Sequence, residues 1–213
     1  MRTLRTCLVS AAIAAVAVVS GAQPGAFGDF DGHGDVGSPK ISGSATYIPG
    51  LREYTLMAGG ANMWGPRDEF HFVWKRMKGD FTLYSRVELV GKGVNAHRKA
   101  GWMIRSTQDP DSPYVDAVVH GDGLTSLQFR RTKAGLTEER PASVKAPDVL
   151  QLERKGSVYR MAAAKSGDPF SISEISDVDL GDEVFVGLVL CSHDADVMER
   201  AIFSDVRITV PSR

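Results

Sequence analysis

The chain has 213 residues, with 25 Lys and Arg against 26 Asp and Glu, two cysteines and a formal net charge of −1. No basic block is available to neutralise a row of phosphates, so nucleic acid is excluded as an expected partner. Cys7 lies in the N-terminal leader, which leaves Cys191 alone in the body of the chain and excludes an internal disulfide.

The leader comes first. Arg2 and Arg5 form a positive start, an apolar run extends from Leu8 to Val19, and Ser20-Gly21-Ala22 supplies small residues at a cleavage site. This pattern reads as a signal peptide over residues 1–22. Its apolar run is short of the roughly 20 residues that span a bilayer. The expected localisation is therefore secreted or periplasmic, with no membrane span after cleavage. Loss of Arg2 and Arg5 leaves 23 basic and 26 acidic residues, a net of −3. Residues 23–35 are Gly-rich and read as a linker, and residues 36–213 read as one domain.

From there on, short alternating or β-branched stretches recur between Gly, Asp, Asn and Pro. Strands are expected at 43–48, 52–58, 68–76, 80–90, 99–106, 113–120, 124–131, 148–154, 157–164, 183–192 and 200–210. Turns are expected at Lys78-Gly79-Asp80, Gly121-Asp122-Gly123, Lys155-Gly156-Ser157 and Leu180-Gly181-Asp182. Pro110 and Pro141 fall in expected loops. The run Val184–Leu190 is apolar on both faces and reads as a central strand covered on two sides. So many short strands predict an all-β, two-sheet sandwich.

Several stretches resemble the bacterial DUF1349 family and its concanavalin A-like lectin/glucanase relatives. They include His33-Gly34-Asp35-Val36-Gly37, Asp68-Glu69-Phe70, Gly79-Asp80-Phe81, Lys99-Ala100-Gly101-Trp102-Met103-Ile104-Arg105, His120-Gly121-Asp122-Gly123 and Ala201-Ile202-Phe203-Ser204-Asp205-Val206. The resemblance implies a jelly-roll sandwich with one concave sheet. It also points towards carbohydrate, and the expectation is a lectin-like protein that recognises a glycan or another polyhydroxylated ligand, in a fold that hosts both lectins and enzymes.

Alternation then selects candidate residues. With the strands between 80 and 131 taken as successive antiparallel neighbours, one face collects Tyr84, Arg86 and Glu88, then Met103 and Arg105. It continues with Tyr114, Asp116 and His120, and then Ser126, Gln128 and Arg130. The opposite face is mainly apolar. Arg86, Arg105, Asp116, His120, Gln128 and Arg130 are thus the expected ligand-binding set on an open polar face. Their surplus of positive charge suggests a ligand bearing carboxylate or many hydroxyls. A solvated face laced with ion pairs is the alternative. Loops add His97 and, beside Gly65-Pro66, Trp64 as an aromatic platform. His33, Asn95, Arg98, Lys99, His193, Asp194 and Asp196 form a further polar loop set. No cofactor is required by this reading; a structural Ca²⁺ would take oxygen donors such as Asp35 and Asp205.

Catalytic signatures are sparse. Glu174 and Asp177 are three apart and so point to opposite faces of a strand. No Gly-x-Ser-x-Gly elbow is present. Two other functions stay open. One is an enzyme acting on a modified sugar, with His97, His120 and Asp116 as acid–base groups. The other is an envelope module that binds a protein partner through a flat apolar patch.

Overall fold

The computed structural model describes residues 27–211. The leader, the cleavage site and residues 23–26 lie outside them.

Fourteen strands and no helix make up the described chain. In order they are β1 (Gly32–Val36), β2 (Ser44–Ile48), β3 (Glu53–Ala58), β4 (Phe70–Lys78), β5 (Phe81–Leu89), β6 (Lys99–Arg105) and β7 (Tyr114–His120). They continue as β8 (Thr125–Arg130), β9 (Thr137–Pro141), β10 (Val149–Lys155), β11 (Val158–Ala164), β12 (Ser171–Ile175), β13 (Glu183–Cys191) and β14 (Glu199–Thr209). Two seven-stranded sheets result. The first runs β1-β4-β13-β6-β7-β8-β9, the second β12-β11-β10-β5-β14-β3-β2. All named pairs are antiparallel. This is the all-β, two-sheet jelly-roll sandwich that the sequence predicts.

The period-2 pattern builds the core between the sheets. Ala100, Trp102 and Ile104 of β6, Val115, Ala117 and Val119 of β7, and Leu127 and Phe129 of β8 face Leu83, Leu150, Leu152 and Phe203 of the second sheet. Each large apolar side chain so buried contributes roughly 1.5–3 kcal/mol. Trp102 also satisfies its indole N–H, which donates to Ser85 Oγ at 2.9 Å. β13 lies between β4 and β6 and is buried on both faces, as its apolar run predicts. Cys191 is free and buried. Its thiol pKa is pushed up to about 11, chiefly by burial. The expected turns at Gly79, Gly123, Gly156 and Gly181 all have positive φ.

Four expectations need correction. The linker read over 23–35 ends inside a strand, because Gly32–Val36 pairs with β4 as a sheet edge. Pro141 is the last residue of β9, not part of a loop; β9 is an edge strand, where a missing N–H is tolerated. β5 is not a neighbour of β6. It belongs to the other sheet, between β10 and β14, and β5 to β6 is a crossover. Finally, the polar face of β6, β7 and β8 is not open to solvent: every residue of these three strands is buried.

The cover on that face is the β3–β4 connection, residues 59–69. It folds over the outer side of the first sheet and buries a second apolar cluster of Met63, Phe70, Phe72, Met103, Tyr114, Val118 and Val189. Gly60 makes the fold-back possible. Its φ is +116°, and a Cβ there would stand 2.1 Å from the Glu69 carbonyl oxygen. The segment closes on itself with Glu69 N–H donating to Asn62 O at 2.8 Å.

Candidate functional site

Asp68 anchors this covering segment. It is fully buried and accepts from both Nη1 and Nη2 of Arg130, at 2.9 and 2.6 Å, and from Arg105 Nη2 at 3.4 Å. Arg105 and Arg130 are themselves fully buried. Arg105 also donates to the Thr107 and Asp109 carbonyls, and Arg130 to the Ser112 and Gly65 carbonyls. Tyr114 Oη donates to Met63 O at 2.8 Å. Burial raises the Asp68 carboxyl pKa, and the two guanidiniums hold that rise back. Arg105 is lowered to about 10 by burial. The two arginines expected to meet a ligand therefore meet the protein instead. They staple the 59–69 segment to the sheet, with their charge directed inward.

The staple fixes Trp64, because the carbonyls on both sides of it, Met63 and Gly65, are held by Tyr114 and Arg130. Trp64 is 38% exposed and stands at the mouth of a pocket of about 280 Å³. The pocket is lined by Asn62, Trp64, His97, Lys99, His120, Leu124, Gln128, Glu139 and His193. Strand register assembles its floor. Lys99 of β6 lies opposite His120 of β7, and Gln128 of β8 opposite Glu139 of β9. The Gln128 side chain links all of them. Its carbonyl accepts from Lys99 Nζ at 3.3 Å, and its amide donates to Glu139 Oε1 at 3.0 Å and to His120 Nε2 at 3.4 Å. His120 Nδ1 donates to Leu124 O at 3.0 Å, which leaves the lone pair on Nε2. The Trp64 ring lies 5.8 Å from Lys99 Nζ.

Loops complete the rim. His97 packs against His120 and His193, with ring centroids 6.1 and 5.5 Å apart. Asn95 ties the two rim loops together. Its amide donates to His193 O at 3.0 Å, and its side-chain oxygen accepts from His97 N at 2.8 Å. His193 is held at φ +57°, a left-handed conformation unusual for a residue with a Cβ. Behind His97, the buried Arg98–Glu199 ion pair at 2.5 Å braces the loop, with Glu199 also accepting from Val94 N at 2.9 Å.

Asp116 lies under the floor rather than on the pocket wall. It is fully buried, and neither of its oxygens has a hydrogen-bond partner. The Gln128 backbone N–H comes near without hydrogen-bond geometry. Burial raises the Asp116 pKa well above the ordinary carboxylate value, with Lys99 opposing. Burial likewise lowers Lys99, with Asp116 opposing. His120 is pushed down to about 4 by burial and by the Lys99 charge, and His193 is lowered by the same two causes in the same order. The expected surplus of positive charge disappears on this face. Lys99, Arg105 and Arg130 are matched by Asp68, Asp116 and Glu139.

The structure thus gathers His97, His120, Gln128 and Trp64 from the expected set. Arg105, Arg130 and Asp116 lie buried beside them. Arg86 does not belong there: it stands on the outer face of the second sheet and donates to Ser166 Oγ at 2.9 Å. Asp35 and Asp205 lie in different sheets. Asp35 accepts twice from Gly43 N and pairs with His71 at 2.6 Å, and Asp205 pairs with Arg207. Both expected Ca²⁺ donors are thus engaged by protein groups. Among the described residues, no three His, Cys, Asp or Glu side chains are grouped to hold a metal ion. Sequence reasoning missed Asn62 and Glu139 as pocket residues. Lys99 and His193 were read together in the polar loop set but not joined to the strand-face residues His120 and Gln128.

No family model matches the chain, and no curated protein matches it. Solved structures do. A functionally unknown protein from Saccharomyces cerevisiae is 19% identical with a TM-score of 0.63, over 85% of this chain and 97% of that one. The carbohydrate-binding module CBM66 from Bacillus subtilis is 15% identical with a TM-score of 0.54, over 85% and 98%. The GH43 protein BlXynB from Bacillus licheniformis, as a K247S mutant, is 9% identical with a TM-score of 0.56, over 84% of this chain and 39% of that one. At these identities the likeness bears on the fold alone, a two-sheet jelly-roll sandwich.

Proposed function

We propose that the chain is an exported, lectin-like protein of the DUF1349 kind whose pocket binds one ring of a glycan. The observation that carries this reading is Trp64, fixed at the mouth above a floor of hydrogen-bonding groups from four adjacent strands. An aromatic face packs against the C–H face of a sugar, and Lys99, His120, Gln128 and Glu139 offer donors and acceptors to its hydroxyls. The fold likeness to a carbohydrate-binding module lends support. Export rests on the leader sequence.

The balanced charge of the face favours a neutral sugar over an acidic one. Glu139 is the one carboxylate lining the pocket among the described residues. The two-carboxylate arrangement of glycoside hydrolysis therefore has no counterpart in it, and binding is preferred to hydrolysis. The test is a glycan array on mature protein, followed by titration calorimetry of the best hit. Trp64→Ala should weaken binding at least tenfold, about 1.4 kcal/mol, with the thermal midpoint unchanged. Undiminished affinity in that variant would move the site elsewhere.

A further inference from the structure

We propose that Lys99 is a carbonyl-reactive amine, and that the pocket captures the open-chain aldehyde of a reducing sugar as a reversible imine. The identity of the occupant rests on the sugar-binding reading above. The chemistry rests on the placement of Lys99 itself.

Lys99 differs from every other lysine of the chain. It is 2% exposed yet lines the pocket, whereas Lys40, Lys78 and Lys133 carry side chains more than half exposed in surface ion pairs. Its hydrogen bond goes to a neutral group, the Gln128 amide oxygen, and no carboxylate reaches it in ion-pair contact. The titratable groups facing it are Asp116 and His120 from β7, Glu139 from β9, Cys191 from β13, His193 from the rim loop and Asp68 from the covering segment. Burial outweighs the carboxylates and lowers its pKa. The free amine, which is the nucleophilic form, is thereby favoured over that of a surface lysine.

The reaction needs only the amine, the aldehyde and solvent. The Nζ lone pair attacks the aldehyde carbon, a C–N bond forms, and the carbonyl π pair passes to oxygen, which takes a proton from solvent. The adduct's ammonium gives up one proton to solvent. The nitrogen lone pair then forms C=N as the C–O bond breaks, the departing hydroxyl takes a proton from solvent and leaves as water, and the iminium returns one proton to solvent. The net change is amine plus aldehyde to imine plus water, with no oxidation or reduction.

The experiment treats the mature protein at pH 7 with glyceraldehyde and sodium cyanoborohydride, which reduces an imine to a stable secondary amine, and maps the adducts by peptide mass spectrometry. Lys99 should be labelled at least tenfold faster than Lys40 or Lys133, with a labelling midpoint below the ordinary lysine value of about 10.4. Labelling of Lys99 no faster than of the surface lysines overturns the proposal. A second arm titrates methyl glycosides of glucose, galactose, mannose and xylose, which bind without a free aldehyde. Normal glycoside binding with slow Lys99 labelling overturns the imine and leaves the binding reading intact. Fast Lys99 labelling with no glycoside binding supports the amine chemistry and overturns the glycan reading.

Discussion

The outer faces of the two sheets carry the same alternating polar pattern and have opposite fates. On the second sheet, Arg86 and Glu88 of β5 stay exposed, and Arg86 reaches only a surface serine. On the first sheet, Arg105 and Arg130 are covered by the 59–69 segment with Asp68 driven between them, and Asp116 and Gln128 are buried beside them. An arginine on a polar strand face is thus a solvated side chain in one case and a buried structural anchor in the other. What separates them is a partner of opposite charge supplied from far away in sequence.

The largest break in this comparison should come from Asp68→Ala. It strands two buried guanidiniums and should cost about 3–5 kcal/mol in urea denaturation, whereas Arg86→Ala should cost less than about 0.5 kcal/mol. Equal effects would erase the distinction between the faces. Next comes acid sensitivity. His120 titrates near 4 in the fold against an ordinary 6.5. As pH falls from about 6.5 towards 4, the unfolded chain takes up a proton that the native His120 refuses. Stability therefore declines over that window, by up to about 3 kcal/mol. Asp116, with a raised pKa, acts with the opposite sign, so the measured quantity is the difference between wild type and His120→Gln at each pH. That difference should vanish if His120 is solvated. Gly60→Ala should be milder, about 1–3 kcal/mol, because a Cβ at that φ meets the Glu69 carbonyl. Smallest is Trp64→Ala, which should shift stability by under about 0.5 kcal/mol while weakening ligand binding.

Much of the fold was legible, and what escaped notice shares one physical cause. All eleven expected strands form, within a residue or two at their ends. The three that went unread, β1, β9 and β12, are edge strands. Gly32-His33-Gly34, Thr137-Glu138-Glu139-Arg140-Pro141 and Ser171-Ile172-Ser173 are short and rich in Gly, charge, Pro or Ser. Edges are written that way because an apolar, regular edge would recruit another chain. Missing β9 meant missing Glu139, since a residue cannot be placed on a pocket floor before its strand is known. The face of Arg105, Asp116, His120, Gln128 and Arg130 was readable from alternation along β6, β7 and β8, whereas Lys99, at the first position of β6, was read with the loops. Its burial was not, because alternation reports which residues share a side and says nothing about what lies on top. Arg86 was misplaced for a related reason: chain order suggested that β5 pairs with β6, while the jelly roll sends the chain across to the other sheet.

The staple beneath Trp64 also bears on the kinetics of ligand entry. A recognition loop that must order itself around its guest adds a conformational step to association and an entropic penalty to affinity. Here the carbonyls on both sides of the indole are tied down by Tyr114 and Arg130, which belong to the sheet itself. Stopped-flow tryptophan fluorescence should therefore record a single phase whose rate rises linearly with sugar concentration, without the plateau that a closing loop imposes.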